Sequence, residues 1–291
     1  MQFEKGHKQN EPSYLCTLLF EEIKEASGPI PGEIKKLLRE FEDVMPDELP
    51  RKLPLKMAVD HEIELVPGTK PPARVPYRMS QPELVKLRKQ LKDMLESGII
   101  KPVKSPYRAS VLFQKKADDS LSMCCDYLAL NNITVKNKYP IPLVGDYFDR
   151  LSRAKYFMKI DLRSGYWQVR IKEGDEAKIK VVTRYGAFEF LVMPFGLTDA
   201  LATFSTLMNQ VLHGFLDKFV VVYLDDIVIY SGTLAEHVDH FRKVLMRLRE
   251  HKLYAKVSKC PFAQETISFL GHIVERGCIR MDPKKVQAIE E

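Results

Sequence analysis

Cysteine is scarce and irregular in this chain: there are five, two of them adjacent (Cys124, Cys125) and none in a Cys-x-x-Cys pair. The odd count and the spacing exclude a closed disulfide framework and a zinc knuckle, and they fit a reduced, intracellular setting. Whether that setting is cytoplasmic (a virus-like particle) or nuclear is not readable. Long apolar runs are missing too. The longest, Phe219 to Leu224, is far shorter than the ~18–20 residues a membrane span needs, so no membrane partner is expected. Tyr14 to Phe20 is apolar but runs at once into Glu21, Glu22 and Glu25 with no small-residue cleavage site. It reads as a short core or helical segment, not a secretion signal. There is no internal repeat and no low-complexity tract.

What remains is ordinary globular composition, 291 residues with 45% apolar and 29% charged, enough for one large domain or two smaller ones. The net charge of +6 is unevenly spread. Residues 1–50 carry 6 basic and 11 acidic side chains, leaving the basic excess on the remainder. A basic body behind an acidic leader is a weak footprint of a polyphosphate-binding protein.

The first 50 residues read as an acidic spacer with one helix, Gly32 to Phe41. Pro54, Pro67, Pro71, Pro72 and Pro76 then exclude a long helix, and His61 to Val66 alternates as a short strand would. Ser80 and Glu83 form a capping box before Leu84, Leu87, Leu91 and Leu95 at helical spacing, with Gly98 as C-cap. Short strands and turns are expected from Ile99 to Tyr127. Thr233 and Glu236 open a second helix running to His251, with Val238, Phe241, Leu245 and Leu248 as its buried stripe. A third carries Phe204, Leu207, Met208, Val211, Leu212 and Phe215. Strands and helices intersperse, which favours an α+β fold.

Chemistry concentrates in carboxylates. Phe219 to Ser231 reads as a β-hairpin whose tight turn carries Asp225 and Asp226. Aspartates favour turns on their own account, so this pair alone leaves a solvated turn and a cation site open. A second apolar strand, Tyr156 to Ile160, stops at Asp161. Two strand ends bearing carboxylates at one sheet edge suit hard divalent cations such as magnesium, which takes oxygen ligands and keeps positions for water or phosphates. Two such ions ~4 Å apart activate an attacking hydroxyl and steady a leaving pyrophosphate.

Tyr223-Leu224-Asp225-Asp226 resembles the Tyr-x-Asp-Asp box of reverse transcriptases. Its neighbours make the resemblance specific: Asp126 to Asn131, Tyr139-Pro140-Ile141-Pro142, Lys159 to Tyr166, Leu191 to Thr198 and Phe269 to His272 follow in the family order. Together they resemble the polymerase of a gypsy-type LTR retrotransposon of the plant kind, from about residue 35 onward. The resemblance implies an α+β right-hand polymerase with an antiparallel palm sheet. Its reverse transcriptase domain would span 51–291: fingers about 70–136 and 169–199, palm about 137–168 and 200–276, and a truncated thumb at 277–291.

It also implies RNA-directed DNA polymerase activity, with an RNA or DNA template, a primer and dNTPs as partners. Asp161, Asp225 and Asp226 would be the catalytic carboxylates, and with the Leu162 carbonyl they would hold two Mg²⁺ ions, Mn²⁺ being an alternative metal. Lys115 and Lys116 would approach the triphosphate; as turn lysines they could equally be solvated charges. Tyr166 would exclude a 2′-hydroxyl, its alternative being a core tyrosine. Phe195 and Gly196 would line the nucleotide pocket. Phe269, Leu270, Gly271 and His272 would form the primer grip, with a plain hairpin turn as the alternative. Protease, RNase H and integrase are expected elsewhere in a parent polyprotein of which this is a fragment.

The sequence departs from the family in working parts. Ser122 stands where an arginine clamps the triphosphate, and serine supplies neither charge nor bidentate fork. Leu128 replaces an arginine near the template. Asp199 and Leu201 stand for Asn and Pro, Arg108 and Ser110 for Gly and Pro, and Lys180 for a small or apolar residue. An impaired nucleic-acid-binding remnant is therefore the alternative to an active polymerase. An RNA-dependent RNA polymerase is disfavoured by Tyr166. His237 and His240 lack a third ligand at metal spacing and read as surface histidines. Cys124 and Cys125 point to opposite strand faces, and Trp167 reads as core.

Overall fold

The computed structural model describes residues 30–115, 119–137, 139–140, 143–224, 226–256 and 262–283. Tyr14 to Phe20 lies outside them. The first described element, α1 (Gly32–Glu40), buries Ile34 and Leu37, and Phe41, Val44 and Met45 beyond it are buried too. From Gly32 on, then, the segment expected as a spacer is part of the packed core. The strand expected over His61 to Val66 does not form. That stretch makes only isolated bridges, His61 with Ile171 and Leu65 with Thr134, because prolines on both sides keep a ladder from extending.

Helix α2 (Gln81–Glu96) starts at Ser80, whose N–H donates to Glu83 Oε2 at 2.6 Å. It buries Leu84, Leu87, Leu91 and Met94. Leu95, expected in the stripe, is 38% exposed, since Met94 completes the i, i+3, i+7 series that the 3.6-residue period demands. Gly98 follows with φ +69°, the left-handed turn that ends the helix.

Strands β1 (Ile100–Pro102), β2 (Ala109–Lys115) and β3 (Leu121–Asp126) come next, followed by the one-turn α3 (Leu128–Asn131) and by α4 (Val144–Leu151). Then come β4 (Tyr156–Ile160), β5 (Val181–Thr183) and β6 (Gly186–Phe190). Helix α5 (Ala200–Leu212) stops short of Phe215. The hairpin β7 (Val220–Tyr223) and β8 (Asp226–Ser231) leads to α6 (Leu234–Glu250), capped by Thr233. Strands β9 (Thr266–Phe269), β10 (His272–Glu275) and β11 (Cys278–Met281) close the described chain.

These strands form three sheets, ordered β1-β6-β5-β2-β3, β4-β8-β7 and β11-β10-β9. All pairs are antiparallel except β2 with β5. The β4-β8-β7 sheet divides the molecule into two cores. Met158, Ile160, Ile227 and Ile229 point into the larger, shared with α5 and α6. Phe157, Val221, Val228 and Tyr230 point into the smaller, shared with Tyr147 and Leu151 of α4 and Phe269 of β9. Alternation along the strands produces this split, successive side chains leaving opposite faces. Among the described residues no helix is long and apolar enough to cross a membrane.

Candidate active site

Two of the candidate carboxylates, Asp161 and Asp226, lie at or next to the ends of paired strands of the β4-β8-β7 sheet. Strand β4 pairs with β8 through Phe157–Tyr230, Lys159–Val228 and Ile160–Ile227. The ladder stops there, and Asp161 and Asp226 are the next residues on the two chains; if the alternation continued, both would lie on the face that carries Lys159. Tyr223 pairs with Asp226, the first residue of β8. Leu224 has φ +59°, the left-handed conformation that a tight hairpin requires. Asp225 itself lies outside the described residues. The hairpin thus forms as its β-branched flanks predict, but Asp226, expected in the turn, is the first residue of β8.

Lys159 Nζ lies 2.8 Å from Asp226 Oδ2, each side chain 29% exposed. This cation was not singled out from sequence, although its i, i+2 spacing from Asp161 would place both on one strand face. Beyond Asp161 the chain bridges Leu162 to Ala255, through Lys256 N–H donating to the Asp161 carbonyl (2.8 Å) and Arg163 N–H to the Tyr254 carbonyl (2.9 Å). The Leu162 carbonyl takes no part in that bridge. Among the described residues no three His, Cys, Asp or Glu side chains cluster as metal ligands.

A tight turn with Ser164 at φ +47° leads into a short 3₁₀ helix, Gly165–Gln168. A Cβ at Gly165 would sit 3.1 Å from the Phe204 ring, so the glycine leaves room for that ring to pack closely. Half-buried Tyr166 packs its ring 4.8 Å from Phe195 and 5.3 Å from Phe204, centroid to centroid. Phe195 is 56% exposed. Asn131, another residue the sequence reading passed over, holds the Phe195–Thr198 loop from both sides. Its Nδ2 donates to the Gly196 carbonyl (2.8 Å) and its Oδ1 accepts from Thr198 N–H (3.0 Å). Trp167 is half-buried against the larger core.

Strands β9 and β10 form a hairpin whose turn residues Leu270 and Gly271 have φ +52° and +73°. Phe269 is buried against Tyr147 and Tyr223, and His272 lies 4.8 Å from the Phe148 ring. This hairpin therefore shares the smaller core with the strand that leads into the acidic bend.

Lys115 ends β2, exposed, 3.9 Å from Asp119; Lys116 lies outside the described residues. Ser122 is half-buried on β3 opposite Gln114, and Leu128 is 64% exposed at the start of α3. The divergent Lys180 and Asp199 are accommodated rather than disruptive. Lys180 donates to the Ser105 carbonyl, while burial lowers its pKa, with Arg108 adding to the effect. Asp199 accepts from Asn137 N–H at 3.0 Å, and burial raises its pKa against that hydrogen bond and Lys136. His237, expected at the surface, is fully buried. Its Nδ1 lies 2.9 Å from Ser231 Oγ, which is also 2.8 Å from His240 Nδ1. It fills a position of the α6 stripe that half-buried Val238 does not.

The Tyr223-Leu224-Asp225-Asp226 sequence between the paired strands β7 and β8 points to the reverse transcriptases, and the chain belongs to that family. The family model described as "Reverse transcriptase (RNA-dependent DNA polymerase)", a nucleotidyltransferase family, matches residues 114–274. Over 128 residues the chain is 66% identical to an "RNA-directed DNA polymerase homolog" of Oenothera berteroana, covering 43% of this chain and 90% of that one. It is 37% identical over 218 residues to the "Retrovirus-related Pol polyprotein from transposon 297" of Drosophila melanogaster, covering 73% of this chain and 21% of the relative. The chain thus spans about a fifth of that polyprotein. The fold is that of the foamy viral protease-reverse transcriptase, solved in complex with an RNA/DNA hybrid, with TM-score 0.78 at 20% identity over 91% of this chain and 36% of that one. The right-hand polymerase fold, the retrotransposon relatives and the plant affinity expected from the motifs all agree with these matches.

Proposed function

We propose that this chain is the polymerase portion of a retrotransposon Pol polyprotein, adding deoxynucleotides to a primer 3′ end on an RNA or DNA template. The observation that supports the reading is the register of β4 against β8, whose last pair, Ile160 with Ile227, leaves Asp161 and Asp226 as the next residues on the two strands. The RNA/DNA hybrid bound by the foamy viral relative supports the same kind of partner here. In this reading residues about 70–136 and 169–199 act as fingers, 137–168 and 200–276 as palm and 277–291 as the start of a thumb. Protease, RNase H and integrase belong to the parent polyprotein.

The donor set fits hard cations: carboxylate oxygens at the ends of paired strands, and a backbone carbonyl at Leu162 outside the local bridge. Asp161, Asp225, Asp226 and the Leu162 carbonyl would hold two magnesium ions, or manganese in their place. Such ions, when bound, lower the pKa of the attacking hydroxyl and offset charge on the triphosphate. The protein's own groups do the positioning. Phe269 to His272 seat the primer end, Lys115 and Lys116 approach the triphosphate, and the Tyr166 ring with Phe195 and Gly196 bounds the sugar pocket and excludes a 2′-hydroxyl.

Primer extension on an RNA template with magnesium and dNTPs tests this. Asp161→Asn should lower extension by roughly 10²–10³-fold or more while leaving primer–template binding unchanged. Extension by Asp161→Asn at the wild-type rate would overturn the assignment. A second reading, an impaired remnant that binds nucleic acid, is favoured by Ser122, which offers the triphosphate no guanidinium. On that reading extension is weak and distributive, and Ser122→Arg raises it; long products from the unaltered chain exclude it.

A further inference from the structure

One helix face far along the chain from the carboxylates is strongly cationic. In α2, Val85, Arg88, Lys89 and Lys92 recur at i, i+3, i+4 and i+7, so they form one stripe, and all four are exposed. The β5–β6 hairpin brings its tip, Arg184-Tyr185, over this stripe. Helix and tip together enclose an open cleft of about 540 Å³. The Arg88 guanidinium lies 5.1 Å above the Tyr185 ring, and Tyr185 Oη donates to the Leu84 carbonyl at 3.4 Å.

Nearby acids do not balance these charges. Glu83 is spent on the Ser80 cap, Glu96 lies 3.7 Å from Lys92 at the far end of the stripe, and exposed Asp93, four residues after Lys89, leaves the four cations of the cleft in excess. Among the described residues Arg88, Lys89 and Arg184 have no ion pair. Like charges concentrated in one concave place raise the local potential and disfavour the free state, so the arrangement fits a polyanion.

We propose that this cleft binds single-stranded nucleic acid, the unpaired template strand, through its phosphates and through a base stacked at Tyr185; the identity of that strand rests on the polymerase reading above. The choice of nucleic acid over an acidic peptide follows from the aromatic. A 37% exposed tyrosine braced by a guanidinium offers a flat platform that suits a base and gives nothing to a carboxylate. Single-stranded nucleic acid fits better than duplex because only an unpaired strand can offer a base face along with its backbone.

The test compares binding to a primer–template with a long unpaired template overhang and to one with an overhang of a few nucleotides, across a salt series. A triple variant, Arg88→Gln with Lys89→Gln and Arg184→Gln, should bind the long overhang at least about tenfold more weakly and the short one as the wild type does. Its salt slope on the long overhang should be shallower by about 2, from three lost phosphate contacts at roughly 0.7 each. Equal losses on both substrates, or no loss on either, overturn the proposal. Acetylation footprinting of the unaltered chain avoids any question of variant folding. The long oligonucleotide should protect Lys89 and Lys92. No protection, or protection by polyglutamate alone, overturns it. The two readings fail separately. If the wild type never extends a primer but the triple variant loses its overhang preference, the polymerase reading falls and the cleft stands. If extension depends on Asp161 and the overhang preference survives the triple change, the cleft falls alone.

Discussion

The ammonium of Lys159, two residues before Asp161, sits 2.8 Å from the Asp226 carboxylate. A tethered cation thus already neutralises one of the three acids expected to attract mobile cations. Both partners are 29% exposed, so solvent screens the pair and its worth falls in the range of about 0.2–1 kcal/mol.

Lys159→Met should therefore strengthen divalent-ion binding, by about two- to fivefold at low ionic strength, and the gain should shrink as salt rises. Manganese titration by electron paramagnetic resonance reads this directly. Unchanged affinity would show that Lys159 does not compete for Asp226.

Tyr166 is wedged between Phe195 and Phe204, which restricts the ring and makes it a firm wall. Tyr166→Ala should raise ribonucleotide over deoxynucleotide incorporation at least about tenfold, since a removed clash relaxes discrimination against the larger sugar. Single-nucleotide incorporation with paired dNTP and rNTP gives the ratio, and a constant ratio counts against the sugar-wall role.

Two buried histidines should tie stability to pH. His61, 2.8 Å from Thr203 Oγ1, has its pKa pushed down to about 4 by burial, against an opposing pull from Asp175. Burial and then neighbouring His240 lower His237 to about 4. Both are neutral when folded and take up a proton more readily when unfolded. Their contribution is complete above the ordinary value near 6.5 and is lost as pH falls from there toward about 4. Two such groups give a slope of up to about 2.7 kcal/mol per pH unit in that window. Urea melts between pH 7 and 4.5 should show a shallower slope for His237→Phe than for the wild type; parallel slopes would remove His237 from the effect.

Asn131→Leu keeps the volume but breaks both bonds to the Phe195–Thr198 loop. The expected cost is about 1–3 kcal/mol of stability, together with weaker nucleotide binding because Phe195 loses its support. Thermal melts and the KM for dNTP report the two effects separately. A stability loss with unchanged KM would confine Asn131 to the scaffold.

The sequence made legible whatever rests on local periodicity. The capped helices at Ser80 and Thr233 and the hairpin around Asp225-Asp226 follow from spacing and from residues that act on their own neighbours. Choices of one residue were harder. Leu95 and Met94 are both apolar, and only strict adherence to the 3.6-residue period, not residue type, decides that Met94 goes inside. His237 is polar by type, and nothing within a few residues announces that Ser231 and His240 will receive it. Relations between distant segments were not legible at all. The parallel pairing of β2 with β5, the clamp from Asn131 to Gly196 and the cleft between α2 and the β5–β6 tip all join residues more than 60 positions apart. The family motifs gave roles to the acids, and none to Lys159, although it opens one of those motifs.

The pairing of Ile100 with Phe190 makes completion of the five-stranded sheet depend on a strand 90 residues further along the chain. Strand β6 is inserted between β1 and β5, so the five-stranded sheet stays open until the ribosome has released residue 190. A copy interrupted by a stop codon upstream of residue 181 would leave β2 and β3 as a lone ribbon with a bare edge. Such a product is a substrate for proteases and for clumping, not a weaker polymerase.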